Sequence, residues 1–331
     1  MTQIAKLTAS DGVTDNDFGG AVAISGRTIV VGASRATRFP NHNRGAAYVF
    51  VEPDGGRTKM TETAELKFPH DESNSGYFGT GVATDGTTVA VGWTNYLFRS
   101  AVYMFVEPAS GWETGMAYQA ELTATSGVFG VYDGFGSYLA LSGGTLVVGA
   151  PSEFSYPVPG AAYVFAEPPG GWVSTGQTAT LTASNGGNRD YFGSSVAIQG
   201  DSIAVGAPDA RWSYGPGPGG VYVFLEPAGG WADMTETAEL RASDGQKGDQ
   251  LGSAVAFDGT GQTLWAGASG HNSGQGAVYV FAEPKAGWST TSKFNAEIAS
   301  PVGSSFGASL SIFGDVEAIT GDTAAYIFGP E

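Results

Sequence analysis

The chain contains no cysteine, few charged residues and no long apolar run, and each absence excludes a class of protein. Without cysteine there is neither a disulfide framework nor a thiolate metal site. Charged residues make up 14% of the 331 residues, and 32 acidic against 15 basic side chains give a net charge of -17. Such an acidic surface repels phosphate groups, so we expect no nucleic acid as a partner. No apolar run reaches the ~18 residues of a membrane span, so membrane insertion is not expected either.

The most regular feature of the sequence is a phenylalanine-glycine step that opens a short apolar run six times, once with leucine replacing phenylalanine. Successive steps are 55 to 60 residues apart. They lie at Phe18-Gly19, Phe78-Gly79, Phe135-Gly136, Phe192-Gly193, Leu251-Gly252 and Phe306-Gly307. A fixed period of this size indicates a repeat protein. The sequence therefore predicts a single domain over residues 1–331, with repeats that start near residues 18, 78, 135, 192, 251 and 306.

Each repeat except the last contains four strand-like segments, as the fourth repeat illustrates. Apolar strands are predicted over 192–198 and 202–208, the second of them buried on both faces, and an alternating strand over 220–224. A turn rich in proline and glycine follows, and residues 237–243 form a more polar fourth strand. Glycine is abundant, with 52 residues, as expected for many short strands joined by turns. The sequence therefore predicts an all-β, six-bladed β-propeller with four antiparallel strands per blade.

The two ends of the sequence complement each other. Residues 1–10 resemble a fourth strand that no blade precedes, and the last repeat ends after its third strand, near Phe328. We expect the N-terminal strand to pair with the last blade, which closes the ring and removes its open edges.

The repeat resembles the bacterial FG-GAP repeat of integrin-type β-propellers. The resemblance rests on the Phe-Gly step, the Val-Gly-Ala-Pro segment as in Gly206-Ala207-Pro208, the Tyr-Val-Phe strand and the Leu-Thr-Ala-Ser ending. It implies an exported or surface protein. Integrin-like relatives often carry an Asp-x-Asp-x-Asp-Gly calcium loop between the first and second strands, but here that connection is as short as Ser25-Gly26-Arg27. The chain therefore resembles the subgroup without that calcium loop.

Variable loops between the second and third strands carry most of the candidate ligand-binding residues. In a four-stranded blade these loops and the inter-blade loops emerge on one face, which we call the loop face. Aromatic and arginine side chains on loops of a rigid scaffold are typical of binding surfaces, although scattered surface aromatics also occur without a ligand. The candidates are Phe39, Arg44, Tyr96, Phe98, Arg99, Phe154, Tyr156, Arg211, Trp212, Tyr214 and His271.

The inter-blade loops contain acidic residues that are candidates for calcium ligands. The strongest set is Asp11, Asp15 and Asp17, since oxygen ligands at alternate positions suit calcium. The loop from Asp244 to Asp249 is a weaker analogue, and Lys247 within it disfavours a cation. Turn chemistry explains the same residues equally well. The prediction is therefore that no cofactor is required, with calcium at Asp11, Asp15 and Asp17 as the alternative.

Signs of an enzyme are few. The three histidines lie in separate repeats, and neither a metalloprotease pattern nor a Gly-x-Ser-x-Gly segment occurs. The sequence therefore favours a non-catalytic adhesion or carbohydrate-binding module that presents its loop face to a glycan or a cell-surface protein. Two alternatives stay open: a self-assembling structural building block, and a hydrolase or lyase acting on polysaccharide. We expect an extracellular or cell-surface location from the resemblance, although the N-terminal residues lack the apolar region of a signal peptide.

Overall fold

The computed structural model describes residues 5–12, 16–39, 42–43, 45–56, 59–69, 76–95, 99–125, 133–151, 159–210, 217–300, 304–313, 316–321 and 324–328. Their secondary structure is almost entirely β-strand, and the strands form the blades of a six-bladed β-propeller, as predicted. The chain divides into two compact units. One comprises residues 1–146 and 165–177, and the other comprises residues 147–164 and 178–331, so that the third blade contributes strands to both.

The first blade and its connections contain eight strands: β1 (Leu7–Thr8), β2 (Phe18–Ser25), β3 (Thr28–Ala33), β4 (Thr37–Phe39), β5 (His42–Asn43), β6 (Ala46–Val51), β7 (Met60–Thr61) and β8 (Ala64–Lys67). The blade itself is the sheet β2-β3-β6-β8. The second blade is the sheet of β9 (Tyr77–Thr84), β10 (Thr88–Thr94), β11 (Ala101–Val106) and β12 (Ala120–Leu122).

The remaining blades repeat this order. The third contains β13 (Tyr138–Ser142), β14 (Thr145–Ala150), β15 (Ala161–Ala166) and β16 (Ala179–Thr182). The fourth contains β17 (Ser195–Gln199), β18 (Ser202–Ala207), β19 (Gly220–Leu225) and β21 (Ala238–Leu240), preceded in the chain by the short β20 (Met234–Thr235). The fifth contains β22 (Leu251–Phe257), β23 (Thr263–Ala268), the one-turn segment α1 (His271–Gly274), β24 (Ala277–Ala282) and β25 (Ala296–Ala299). The sixth contains β26 (Ser309–Phe313), β27 (Val316–Thr320) and β28 (Ala325–Phe328).

The phenylalanine of the repeated step packs against the third strand of its own blade. In the fourth blade the Phe192 ring meets Tyr222 and Phe224 edge-on, with centroid distances of 5.4 and 6.1 Å. Phe306 makes the same contacts with Tyr326 and Phe328 in the sixth blade. Edge-on aromatic pairs contribute about 0.5–1.5 kcal/mol beyond the area that they bury. The repeated residues therefore form the core of each blade.

Neighbouring blades within a unit are joined where a fourth-type strand pairs with the short strand that precedes the fourth strand of the next blade. Leu181 of β16 pairs in parallel with Met234 of β20, and Leu7 of β1 pairs with Met60 of β7 in the same way. Beyond this pairing, Ser184 and Ser10 each donate backbone and hydroxyl hydrogen bonds to a glutamate of the next blade, Glu236 and Glu62 respectively. The N-terminal strand thus behaves as a fourth strand toward the first blade. Closure of the ring by pairing of this strand with the last blade stays a prediction.

The largest differences from the predicted strand limits of the fourth blade are at the start of its first strand and in the length of its fourth. In the fourth blade the first strand begins at Ser195, because Phe192 to Ser194 form a turn in which Gly193 has a φ of 100°. The fourth strand is also shorter than predicted and ends at Leu240. The second strand, β18, is buried along its whole length, as predicted. Among the described residues, no helix is long and apolar enough to cross a membrane.

Candidate functional site

The structure describes three of the eleven candidate ligand-binding residues. Phe39 is the last residue of β4, Arg99 precedes β11, and His271 begins α1. The other eight lie outside the described residues, namely Arg44, Tyr96, Phe98, Phe154, Tyr156, Arg211, Trp212 and Tyr214. His271 is the candidate whose chemical surroundings are described in most detail, and it lies entirely within the second unit.

Arg99 lies close enough to influence the half-buried carboxyl of Asp133. Burial raises the pKa of Asp133, and the backbone N–H of Phe135 and the positive charge of Arg99 oppose this rise. The Phe135 N–H donates to Asp133 Oδ1 over 3.1 Å. In the first blade Asn16 occupies the equivalent position and accepts a hydrogen bond from the Phe18 N–H. Asp133 therefore supports the turn before the Phe-Gly step, and Arg99 partly balances its charge.

Two of the three candidate calcium ligands make hydrogen bonds within the first blade. The Tyr48 hydroxyl donates to Asp11 Oδ1 over 2.9 Å, and the Ser34 hydroxyl donates to Asp17 Oδ2 over 2.8 Å. In the fourth blade the neutral Asn185 accepts from Tyr222 in the same manner as Asp11 does from Tyr48. Asp15 lies outside the described residues. These contacts give Asp11 and Asp17 structural roles, and calcium binding there stays a prediction.

The loop between the second and third strands of the fifth blade holds His271 in a tight turn. Asn272 and Ser273 adopt φ values of 50° and 60°, which lie in the left-handed region. The turn is supported by the Asn272 amide, which donates to Gln275 Oε1 over 2.6 Å. The turn projects the imidazole toward the inter-blade loop that precedes β22, and the side chain remains only 17% exposed.

Asp249 of that inter-blade loop fixes the orientation of the imidazole. His271 Nδ1 lies 2.9 Å from Asp249 Oδ2. Asp249 is buried, its Oδ2 also accepts the Gln246 N–H over 2.8 Å, and its carbonyl accepts the Gly270 N–H. Because a carboxylate accepts hydrogen bonds, this contact places a proton on Nδ1, so that in the neutral form of the ring Nε2 is the nitrogen with the free lone pair.

Three further polar groups surround the ring. The Tyr279 hydroxyl lies 3.3 Å from His271 Nδ1 and donates to Asp244 Oδ1 over 3.3 Å. Glu297 on β25 lies directly across the sheet from Tyr279, and its Oε1 is 3.7 Å from His271 Nε2. Burial raises the pKa of Tyr279, and the charges of Asp244 and Glu297 raise it further, so the phenol stays protonated. Ligand atoms of Asp244, His271 and Glu297 all lie within 4.8 Å of one another.

A polar cavity of about 510 Å³ adjoins this cluster. The inter-blade loop and the His271 turn form its walls, so these two types of loop meet at the same end of the blade, as the loop-face prediction requires. Its polar side chains come from Gln246, Lys247, Asp249, His271, Asn272 and Ser273. Sequence reasoning named His271 and, as a weak cation loop, Asp244 to Asp249, but it missed Glu297. The recurring fourth-strand glutamate opposite the third-strand tyrosine was the signal that could have identified it.

Comparison with known proteins identifies the repeat and the fold. A family model described as FG-GAP repeat matches residues 1–50, 117–165, 175–224 and 234–281, which is more than half of the chain. No curated protein matches the sequence. Among solved structures, Kuenenia stuttgartiensis hydrazine synthase is similar, with a TM-score of 0.59 and 14% sequence identity over 94% of this chain and 83% of that chain. At this level of identity the likeness concerns the fold alone.

Proposed function

Because the chain belongs to the FG-GAP repeat family, we propose that it is a non-catalytic recognition and adhesion module that acts outside the cell or at its surface. Its ligand, in this proposal, is a glycan bound at the loop face, and a surface protein is the alternative partner. A blade scaffold determines how its loops are displayed, whereas ligand choice depends on the loops themselves. The proposal therefore rests on the chemistry of the loops.

The polar cavity beside His271 is the observation that carries this proposal. Amide, hydroxyl, imidazole and carboxylate groups converge on it from two loops that the fifth blade holds in place. Together these groups offer both donors and acceptors of hydrogen bonds, as the hydroxyls of a sugar require. The cavity is also within the range of volumes typical of small-ligand sites.

The sequence of the preceding loop favours a carbohydrate, which has apolar ring faces as well as hydroxyls, over a ligand that is polar throughout. The preceding second-to-third loop contains Arg211, Trp212 and Tyr214. Flat aromatic side chains offer an apolar face against which a sugar ring can stack, and arginine adds a planar set of donors. The net charge of -17 favours neutral or cationic ligands over polyanions.

The test is a glycan array probed with the purified protein in a buffer that contains EDTA, so that cation effects do not contribute. We expect binding to a defined group of glycans. Asn272→Gly, which removes the cavity amide while permitting the positive φ, and Trp212→Ala should each weaken binding by about tenfold or more, as expected for loss of one buried hydrogen-bonding or aromatic contact.

Lys285→Ala is the matched control, because Lys285 is exposed in the turn between the third and fourth strands, at the opposite end of the fifth blade. It should bind as the unmodified protein does. A blank array would contradict the glycan proposal. Binding to a protein-coated surface that is unchanged after enzymatic removal of the glycans would then favour a protein ligand. Self-association at micromolar concentration would favour a structural building block. Turnover of a bound polysaccharide would overturn the non-catalytic assignment.

A further inference from the structure

We propose that His271, Asp244 and Glu297 form a binding site for a divalent transition-metal ion, for which zinc is the best match. A neutral imidazole and two carboxylates are a mixed nitrogen and oxygen donor set that zinc accepts, whereas calcium prefers oxygen alone. The site is separate from the calcium prediction at Asp11 to Asp17. It also stands independently of the recognition function, because a metal ion can bind here without any glycan.

The hydrogen bond to Asp249 prepares the imidazole for a metal ion. Asp249 holds the Nδ1 proton, which leaves the Nε2 lone pair directed away from the buried carboxylate. Metal-bound histidines in proteins commonly donate their second ring N–H to a carboxylate in this way, and that contact fixes the tautomer and increases the basicity of the ligating nitrogen. Asp249 is thus a positioning residue, and Nε2 is the ligand atom.

The separation of Nε2 and Glu297 suits two ligands of one ion. The 3.7 Å between His271 Nε2 and Glu297 Oε1 is too long for a hydrogen bond. Two ligands of a tetrahedral zinc ion lie about 3.4 Å apart when each bond is about 2.0–2.1 Å long. One ligand atom each from Asp244, His271 and Glu297 lies within 4.8 Å of the other two, a spacing compatible with shared coordination of one ion.

The other blades provide an internal comparison for Glu297. In the first and fourth blades the equivalent glutamate also faces the third-strand tyrosine, but a cation two residues later pairs with it. Lys67 Nζ lies 3.4 Å from Glu65, and Arg241 contacts Glu239. In the fifth blade Ala299 stands at that position, and the imidazole of His271 takes the place beside the carboxylate. The fifth blade therefore places an imidazole beside this carboxylate where the first and fourth blades place a lysine or an arginine.

The cluster is accessible to an ion from solution. Glu297 is 30% exposed, Asp244 is exposed, and the cavity beside His271 reaches the ring. Three protein ligands leave at least one coordination position for water, as in zinc sites that are open to solvent. Lys247, the basic residue of the inter-blade loop, also lines the cavity and is a competing cation.

The experiment is calorimetric titration of the untagged full chain with zinc chloride at pH 7, together with equilibrium dialysis to count the bound ions. We expect one zinc per chain, weaker binding of manganese, and zinc binding that an excess of calcium does not displace. His271→Gln and Glu297→Gln should each weaken zinc binding by about tenfold or more. Asp249→Asn should weaken it by about 10- to 100-fold through the orientation of the ring.

Glu121→Gln is the matched control, because Glu121 occupies the fourth-strand position in the second blade, outside the cluster. It should bind zinc as the unmodified protein does. Thermal melts of each variant without metal show whether it is folded. Glu297→Asp, which keeps the carboxylate, should bind zinc more tightly than Glu297→Gln does. Zinc binding that survives both His271→Gln and Glu297→Gln would overturn the proposal, as would the absence of zinc binding. Failure of the glycan array would leave these results unaffected.

Discussion

At the scale of single residues, the contact between two glycines explains why the repeat keeps both. The glycine of the Val-Gly-Ala segment lies against the glycine of the next Phe-Gly step, as Gly206 does against Gly252. A side chain at Gly206 would clash with the carbonyl oxygen of Gly252, which also accepts a hydrogen bond from the Ser195 hydroxyl. The same contact occurs between Gly32 and Gly79. Neighbouring blades within a unit thus approach at backbone distance.

Gly206→Ala should therefore destabilise the protein. Overpacking against a backbone that cannot move costs about 1–3 kcal/mol, and loss of the Ser195 hydrogen bond adds to it. The measurement is the free energy of unfolding in urea. Gly229→Ala, in an open turn of the same blade, is the control and should change stability little. Equal stability of the two variants would show that the blades can separate without cost.

Asp133 gives a prediction that depends on pH. Burial raises its pKa in the folded protein above the unfolded value, so the folded state binds this proton more tightly. The charged carboxyl therefore lowers stability at pH 7, and this cost disappears as the pH falls toward about 4, the pKa of an unfolded aspartate. Asp133→Asn keeps an acceptor for the Phe135 N–H, as Asn16 does for Phe18.

We therefore expect Asp133→Asn to be more stable than the unmodified protein at pH 7, by a margin that shrinks as the pH falls to about 4 and below. Thermal melts across this range measure the difference. Asp54→Asn serves as the control, because the Asp54 side chain is 96% exposed and its pairing with Arg27 lies at the surface, where an ion pair contributes little to stability. A stability difference that does not change with pH would show that the charge of Arg99 fully compensates burial.

At the scale of elements, the N-terminal strand β1 is expected to stabilise the first blade, against which it packs. Leu7 pairs with Met60 and packs on the core that contains Tyr48, and Ser10 bonds Glu62. Removing residues 1–10 should lower the midpoint of thermal unfolding by several degrees, whereas removing residues 1–4 should not, since it leaves β1 intact. Equal midpoints for the two truncations would refute both this contribution and the predicted ring closure.

Strands were more predictable from the sequence than the site. Each strand type recurs in several repeats of the sequence. Tyr48, Tyr103 and Tyr279 therefore locate the third strand independently, and all three lie in the strands where they were predicted. His271 was identified because it lies in a variable loop. Glu297 was missed because it belongs to a repeated strand position and looks structural. Only the pairing of β24 with β25 and the turn at Asn272 bring it to the imidazole, and neither contact is visible in sequence spacing.

At the scale of the whole molecule, the period of the sequence was sufficient to predict six blades. Each repeat forms one blade, so the number of repeats gives the number of blades. What the period could not predict is where the blades differ. Sites depend on such differences, as when Ala299 replaces the basic residue found at Lys67 and Arg241. The functional prediction therefore depends on departures from the repeat, such as the loop that carries His271, for which the other blades provide no copy.

The net charge leads to the last prediction. With 32 acidic and 15 basic side chains, 17 carboxylates exceed the number of lysines and arginines that could pair with them. Repulsion among them opposes the compact state, and salt screens it over a distance that shortens from about 30 Å at 0.01 M to about 3 Å at 1 M. The midpoint of thermal unfolding at pH 7 should therefore rise as sodium chloride increases. Near pH 4.4, the pI of the sequence, the net charge approaches zero and the same salt series should have little effect. A midpoint that falls with salt at pH 7 would mean that attractive pairs such as Arg241 with Glu239 outweigh the repulsion.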